Sequence, residues 1–145
     1  MVSTVYSPSR SLTLPSGRVF FWAILLFPFS AIAEEWTTAD TVRESAYVLL
    51  HIADWNQTRE IARNPQQYWE VNPVLGKHPS IKRVDSYMAF SALAHIGISY
   101  AIAPLCDAIG ASPRKCREGF QYVTLGGKAS LVYHNNRIGL SWDFK

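Results

Sequence analysis

Ser86 to Cys106 reads SYMAFSALAHIGISYAIAPLC. These 21 residues lie between Asp85 and Asp107 and carry no formal charge. A bilayer core takes about 20 apolar residues in a helix, so the length fits a membrane span. The stretch is rich in Ala, Gly and Ser, less greasy than a lone anchor. Ala89, Leu93, Gly97 and Ala101 share one face, and Gly97 with Ala101 forms a small-xxx-small pair that lets helices approach closely. His95 sits at the middle, with Ser91 and Ser99 four residues to either side. An ionisable group inside lipid is expensive, so His95 must look at other protein or at water. The helix is expected over 81–105, with Pro104 ending it.

Upstream, residues 37–63 read as one long helix. Thr37, Thr38 or Asp40 can cap its start by accepting from free backbone N–H groups. Val42, Ala46, Leu49, Leu50, Ala53 and Ile61 recur at helical spacing. Asn64-Pro65 ends it, because proline disfavours the α-region for the preceding residue. Glu44, His51 and Thr58 fall within about 40° of one another at 100° per residue, and Asp54 lies beside them. This is a polar stripe on an apolar helix.

Downstream, 106–116 reads as a loop and 117–138 as a last helix. Gly126-Gly127 weakens that helix and marks a close helix contact or a kink. Thr124, Lys128 and Asn135 share a face, with His134 and Arg137 nearby. Three helices with one polar stripe each imply a shared polar interior. One reading makes it hydrogen-bonded glue between helices. The sharper reading makes it a small site where His95, Asp54 and His51 meet and relay protons.

The connection between the first two helices, Tyr68 to Ser80, reads YWEVNPVLGKHPS. Asn72 precedes a proline and can close an Asx-turn, Gly76 can take positive φ, and Ser80 can cap the next helix. Tyr68 and Trp69 suit a membrane interface. Glu70 and Asn72 carry chemistry that a plain linker does not need. Either they hold an interfacial turn together, or Glu70 points back toward the polar stripe.

The N-terminus resembles an export signal. Arg10 and Arg18 precede Val19–Ala33, VFFWAILLFPFSAIA, and Ala31 with Ala33 frames an A-x-A site. Residues 1–33 are therefore a signal peptide or a first transmembrane helix, and 34–145 a helical membrane domain. The expected fold is all-α, a small membrane bundle of three helices after the signal, or four if the signal is uncleaved. Arg59, Arg63, Lys77, Lys82 and Arg83 surround the second connection and place it in the cytoplasm by the positive-inside rule. The 106–116 loop then faces the periplasm of a bacterial inner membrane. Arg114, Lys115 and Arg117 violate the rule there. Cys106 and Cys116, the only two cysteines, favour it, because an oxidising compartment lets them close a disulfide.

The chain has 145 residues, 17% charged and 48% hydrophobic, with a formal charge of +3. That charge is too weak and scattered to point to nucleic acid. No H-E-x-x-H, G-x-S-x-G or phosphate-cradling glycine loop occurs, so no metal or cofactor is implied. The candidate polar site is His51, Asp54, Thr58, Glu70, Asn72, His95, Lys128 and Asn135.

DWNQTREI followed by YWEVNPVLGKHPS resembles a group of small, uncharacterised bacterial and phage membrane proteins. Their pattern falls here on Asp54, Thr58, Glu70, Asn72, Pro73, Leu75 and Gly76. The resemblance covers about residues 51–105, with HNNRIG extending it. It implies a helical membrane protein and no particular activity. A cleaved signal would depart from it.

Three functions compete. The first is a non-enzymatic membrane protein that packs against itself or a membrane partner, with the lipid bilayer around it. The second is a membrane-embedded enzyme or proton-coupled carrier using Asp54, Glu70, His95 and Lys128. The third is a soluble periplasmic helical domain.

Overall fold

The structure, a computed structural model, describes residues 35–140. The segment read as a signal or first membrane helix, 1–33, lies outside the described residues. Within them the chain forms three helices and no strand: α1 (Thr38–Arg63), α2 (Ile81–Ala108) and α3 (Pro113–Arg137).

Thr37 caps α1 reciprocally. Its hydroxyl accepts from the Asp40 N–H at 3.2 Å, and Asp40 Oδ2 accepts from the Thr37 N–H at 2.8 Å. This capping box satisfies two of the free donors at the helix start. Asn64 closes the other end, donating from its backbone N–H and its side chain to the Glu60 carbonyl.

The connection is an ordered turn. The Asn72 carbonyl accepts from Leu75 and Gly76, and Asn72 Oδ1 accepts from the Val74 N–H at 2.9 Å, which is the expected Asx-turn. Gly76 takes φ +76°, a conformation that costs a residue with a Cβ. Leu75 drops from this turn into an apolar cluster with Val84 and Met88. Ser80 caps α2 as expected. Arg83, a cation in the unfavourable first turn of α2, reaches back to the Val74 carbonyl at 2.7 Å.

Two boundaries differ from expectation. Pro104 lies inside α2, which runs on to Ala108. Proline removes one backbone bond but need not end a helix held by other means. Here turn bonds from Ile109 and Ala111 to the Cys106 carbonyl, and a disulfide from Cys106 to Cys116 with Cα atoms 6.6 Å apart, secure the last turn. The expected 106–116 loop therefore shrinks to the four residues 109–112, and α3 begins at Pro113, a residue suited to a first helical position. α3 runs unbroken through Gly126-Gly127, and the pair marks no close contact among the described residues. Both are exposed, and a Cβ on either would meet nothing within 4 Å.

The helices run up, down and up. Side chains pair in opposite order along α1 and α2: Glu44 with His95, His51 with Met88, Trp55 with Asp85. Pairs along α1 and α3 climb together: Arg43 with Gln121, Asp54 with Lys128, Gln57 with Asn135.

Polar side chains are buried alongside the apolar ones, and many large apolar side chains are exposed. Asp40, Arg43, His51, Asp54, Gln57, Thr58, His95, Ser99, Arg117 and Gln121 are buried. Leu49 is 66% exposed, Phe90 72%, Leu93 71% and Val123 75%. Buried polar groups cost free energy unless they are paired, so the interior must be a hydrogen-bond network.

Candidate functional site

That network has three levels along the bundle axis. At the start of α1, Asp40 sits between Arg43, which it pairs with directly, and Arg117, whose Nη1 is 3.6 Å away. Arg43 Nε donates to Gln121 Oε1 at 2.7 Å, and Gln121 Nε2 donates to Ser99 Oγ at 3.0 Å. Arg117 Nε also donates to the Ser99 carbonyl. One carboxylate, two guanidiniums and an amide thus tie all three helices together. Arg117, an apparent violation of the charge rule, serves the interior.

At mid-height His95 bridges α1 and α3. Its Nδ1 lies 2.8 Å from Glu44 Oε1, and its Nε2 lies 2.8 Å from Thr124 Oγ1. Glu44 Oε2 also accepts from Gln121. The ring stacks on Tyr47 at 3.4 Å between centroids and on Phe120 at 4.9 Å. Acid, imidazole and hydroxyl in series have the order of a nucleophilic triad. The hydroxyl is otherwise engaged: Thr124 Oγ1 donates to its own helix at the Phe120 carbonyl, 2.8 Å away. Neither His95 nor Thr124 lines the cavity described below. The geometry is that of a cross-helix clamp. His51 stands one step along α1, with its ring centroid 5.8 Å from Tyr47. Its Nε2 meets the Met88 carbonyl at 3.0 Å. A carbonyl only accepts, so Nε2 carries the proton, and the buried Nδ1 has no partner among the described residues.

Toward the 64–80 connection, Lys128 Nζ donates to Asp54 Oδ2 at 2.7 Å. Gln57 is fully buried and bonds to Asn135, Asn136 and the Val132 and Leu140 carbonyls, holding the end of α3. Here a cavity of about 310 Å³ opens. Asp54, Thr58, Glu70, Asn72, Lys128, His134 and Asn135 supply its polar lining, and Trp69, Tyr87, Met88 and Leu131 much of its apolar lining.

Six of the eight residues proposed from sequence therefore share one cavity. Glu70 does lie on the same space as the stripe. The other two, His51 and His95, sit apart, and the expected meeting of His95 with Asp54 does not occur. The antiparallel register sets Glu44 opposite His95, while Asp54 pairs across to α3. The sequence reading missed Asp40, Arg43, Gln57, Arg117 and Gln121. A signal existed. Residues 117, 121, 124, 128 and 135 repeat at three-, four- and seven-residue steps, one helical face. Among the described residues no group of three His, Cys, Asp or Glu side chains is placed to hold a metal ion.

No protein-family model, curated protein or solved structure matches this chain.

Proposed function

We propose that this chain is a small integral protein of the bacterial inner membrane, whose helices pack around a polar interior and act by association with one another or with a membrane partner. The buried polar groups together with the outward apolar side chains carry the reading. Water would penalise the outward Leu49, Phe90, Leu93 and Val123, whereas lipid accepts them and in turn penalises any polar group left facing it. Among the described residues α2 alone is long and apolar enough to cross a bilayer, and only 17% of its most apolar window is buried inside the bundle. The core helix of a water-soluble domain would be mostly covered. A cytoplasmic 64–80 connection fits the positive-inside rule, whereas the periplasmic 109–112 turn rests on the disulfide, against the charges of Arg114, Lys115 and Arg117. The resemblance to small bacterial and phage membrane proteins agrees with this reading.

Association is supported by α2, where Gly97 is exposed with nothing within 4 Å of a Cβ placed on it. Carbonate washing of membranes tests the first claim: the chain should stay in the pellet, and release into the supernatant would support the soluble periplasmic alternative instead. Gly97→Leu with Ala101→Leu tests the second: self-association in detergent should fall, and an unchanged oligomer would defeat it.

One observation favours the enzyme or carrier reading. Asp54, Glu70 and Lys128 share a cavity, although His95 does not line it. Asp54→Asn should then abolish a cellular phenotype at normal expression level. An inactive chain that is also unfolded would return these groups to a structural role.

A further inference from the structure

The cavity beside the 64–80 connection is more than a packing defect. Its polar lining is only partly paired among the described residues. Thr58 is 3% exposed and lines the cavity, yet its hydroxyl has no hydrogen-bond partner among the described residues. The Thr58 hydroxyl forgoes the intrahelical carbonyl bond that Thr124 makes. Asp54 is 7% exposed, and Lys128 engages only its Oδ2. Glu70 accepts from the Asn72 N–H through Oε1 alone, 2.8 Å away, and makes no ion pair among the described residues. Two carboxylates thus face one ammonium and the His134 imidazole; with that ring neutral the lining carries one negative charge in excess and is rich in acceptors. Trp69, Tyr87, Met88 and Leu131 add apolar and aromatic surface around them.

We infer that this cavity is a binding site for a small primary ammonium ion with an apolar body, held by Glu70, Thr58 and the free oxygen of Asp54. The volume, about 310 Å³, lies at the lower end of small-molecule sites, about 300–1,000 Å³. An N–H-bearing cation satisfies three acceptors at once, whereas a quaternary ammonium offers no N–H at all. The aromatic rings suit the alkyl part and attract the charge. Two sources present this chemistry: a soluble alkylamine, or the headgroup of an aminophospholipid reaching in from the bilayer.

The test is calorimetric titration of the full chain in phosphatidylcholine nanodiscs, which supply no primary amine. Butylamine should bind saturably at one site per chain, and butanol, the neutral analogue, should not. Glu70→Gln should weaken butylamine by roughly tenfold or more, the loss of one charged hydrogen bond, with unchanged circular dichroism. If that variant fails to fold, Thr58→Val, which removes one neutral acceptor and keeps the shape, should weaken binding severalfold. In phosphatidylethanolamine nanodiscs, loss of butylamine binding assigns the site to the lipid headgroup, and persistence assigns it to a soluble amine. Absence of saturable binding in phosphatidylcholine, equal binding of butanol, or a folded Glu70→Gln chain with native affinity overturns the inference. Only the lipid arm rests on the membrane reading. If carbonate releases the chain, that reading fails, and the same titration on the released protein still tests the cavity.

Discussion

Lys128→Met isolates the most exposed question about the interior: whether its charges hold the bundle or merely tolerate one another. The methionine keeps the length of the stem and removes the ammonium. In the native chain Nζ and Oδ2 are 2.7 Å apart, with the side chains 15% and 9% exposed. At that separation an effective dielectric of about 20 gives an attraction of roughly 6 kcal/mol, most of which offsets the desolvation of the two ions. The pair is therefore worth little against an apolar replacement, but stranding its carboxylate is costly. Breaking a buried pair from one side costs about 3–5 kcal/mol. We expect about 3 kcal/mol, the lower end, because Asp54 also lines the cavity, where water can reach it. Asp54→Asn with Lys128→Met removes both charges and should return to within about 1 kcal/mol of the native chain. The assay is equilibrium unfolding in mixed micelles, followed by far-ultraviolet circular dichroism, for the native chain, both single variants and the double. A single-variant cost under about 1 kcal/mol, or a double variant as damaged as Lys128→Met, would refute the reasoning.

Further outcomes follow from other parts of the structure. His95→Ala takes from the partly buried Glu44 its shortest contact and removes a stacked ring, so the same assay should show a loss of about 3 kcal/mol. Adding Glu44→Gln to it should recover part of that. Reduction of Cys106–Cys116, which closes a sequence separation of 10, should lower stability by roughly 2–3 kcal/mol and slow the chain on a denaturing gel. Gly127→Ala places a methyl group in open space on an exposed helix position. It should stabilise the isolated chain by about 1 kcal/mol, and a loss instead would reveal a partner helix packed on that glycine.

What could be read in the chain was local. The start and end of α1 follow from Thr37 with Asp40 and from Asn64-Pro65, all within a few residues of the boundary they set. The Asx-turn at Asn72 and the positive φ of Gly76 are equally local. The end of α2 was misread for the complementary reason. Pro104 is a local signal, and it was overridden by a cross-link to Cys116 in the next helix. The polar stripes were legible because a period of 3.6 converts sequence spacing directly into a shared face. Their partners were not. Which α2 residue meets His51 or Glu44 depends on the rotation and axial offset of two helices, and neither leaves a mark at a single position. Arg117 illustrates the same gap. In sequence it belongs to a basic cluster beside a loop. In the fold it is one turn into α3 on the inner face, next to Asp40.

The ordered pairing of α1 with both neighbours makes the bundle a vernier. Apolar helices slide past each other at small cost, because one leucine serves as well as the next. Here a shift of one residue would part Glu44 from His95, Asp54 from Lys128 and Gln57 from Asn135 together. Inserting a single alanine within α3, between Lys128 and Asn135, would rotate everything beyond it by about 100° and break the Gln57–Asn135 mark while the other two stay aligned. Length changes should therefore be admitted at the ends of the chain and barred from the three helices.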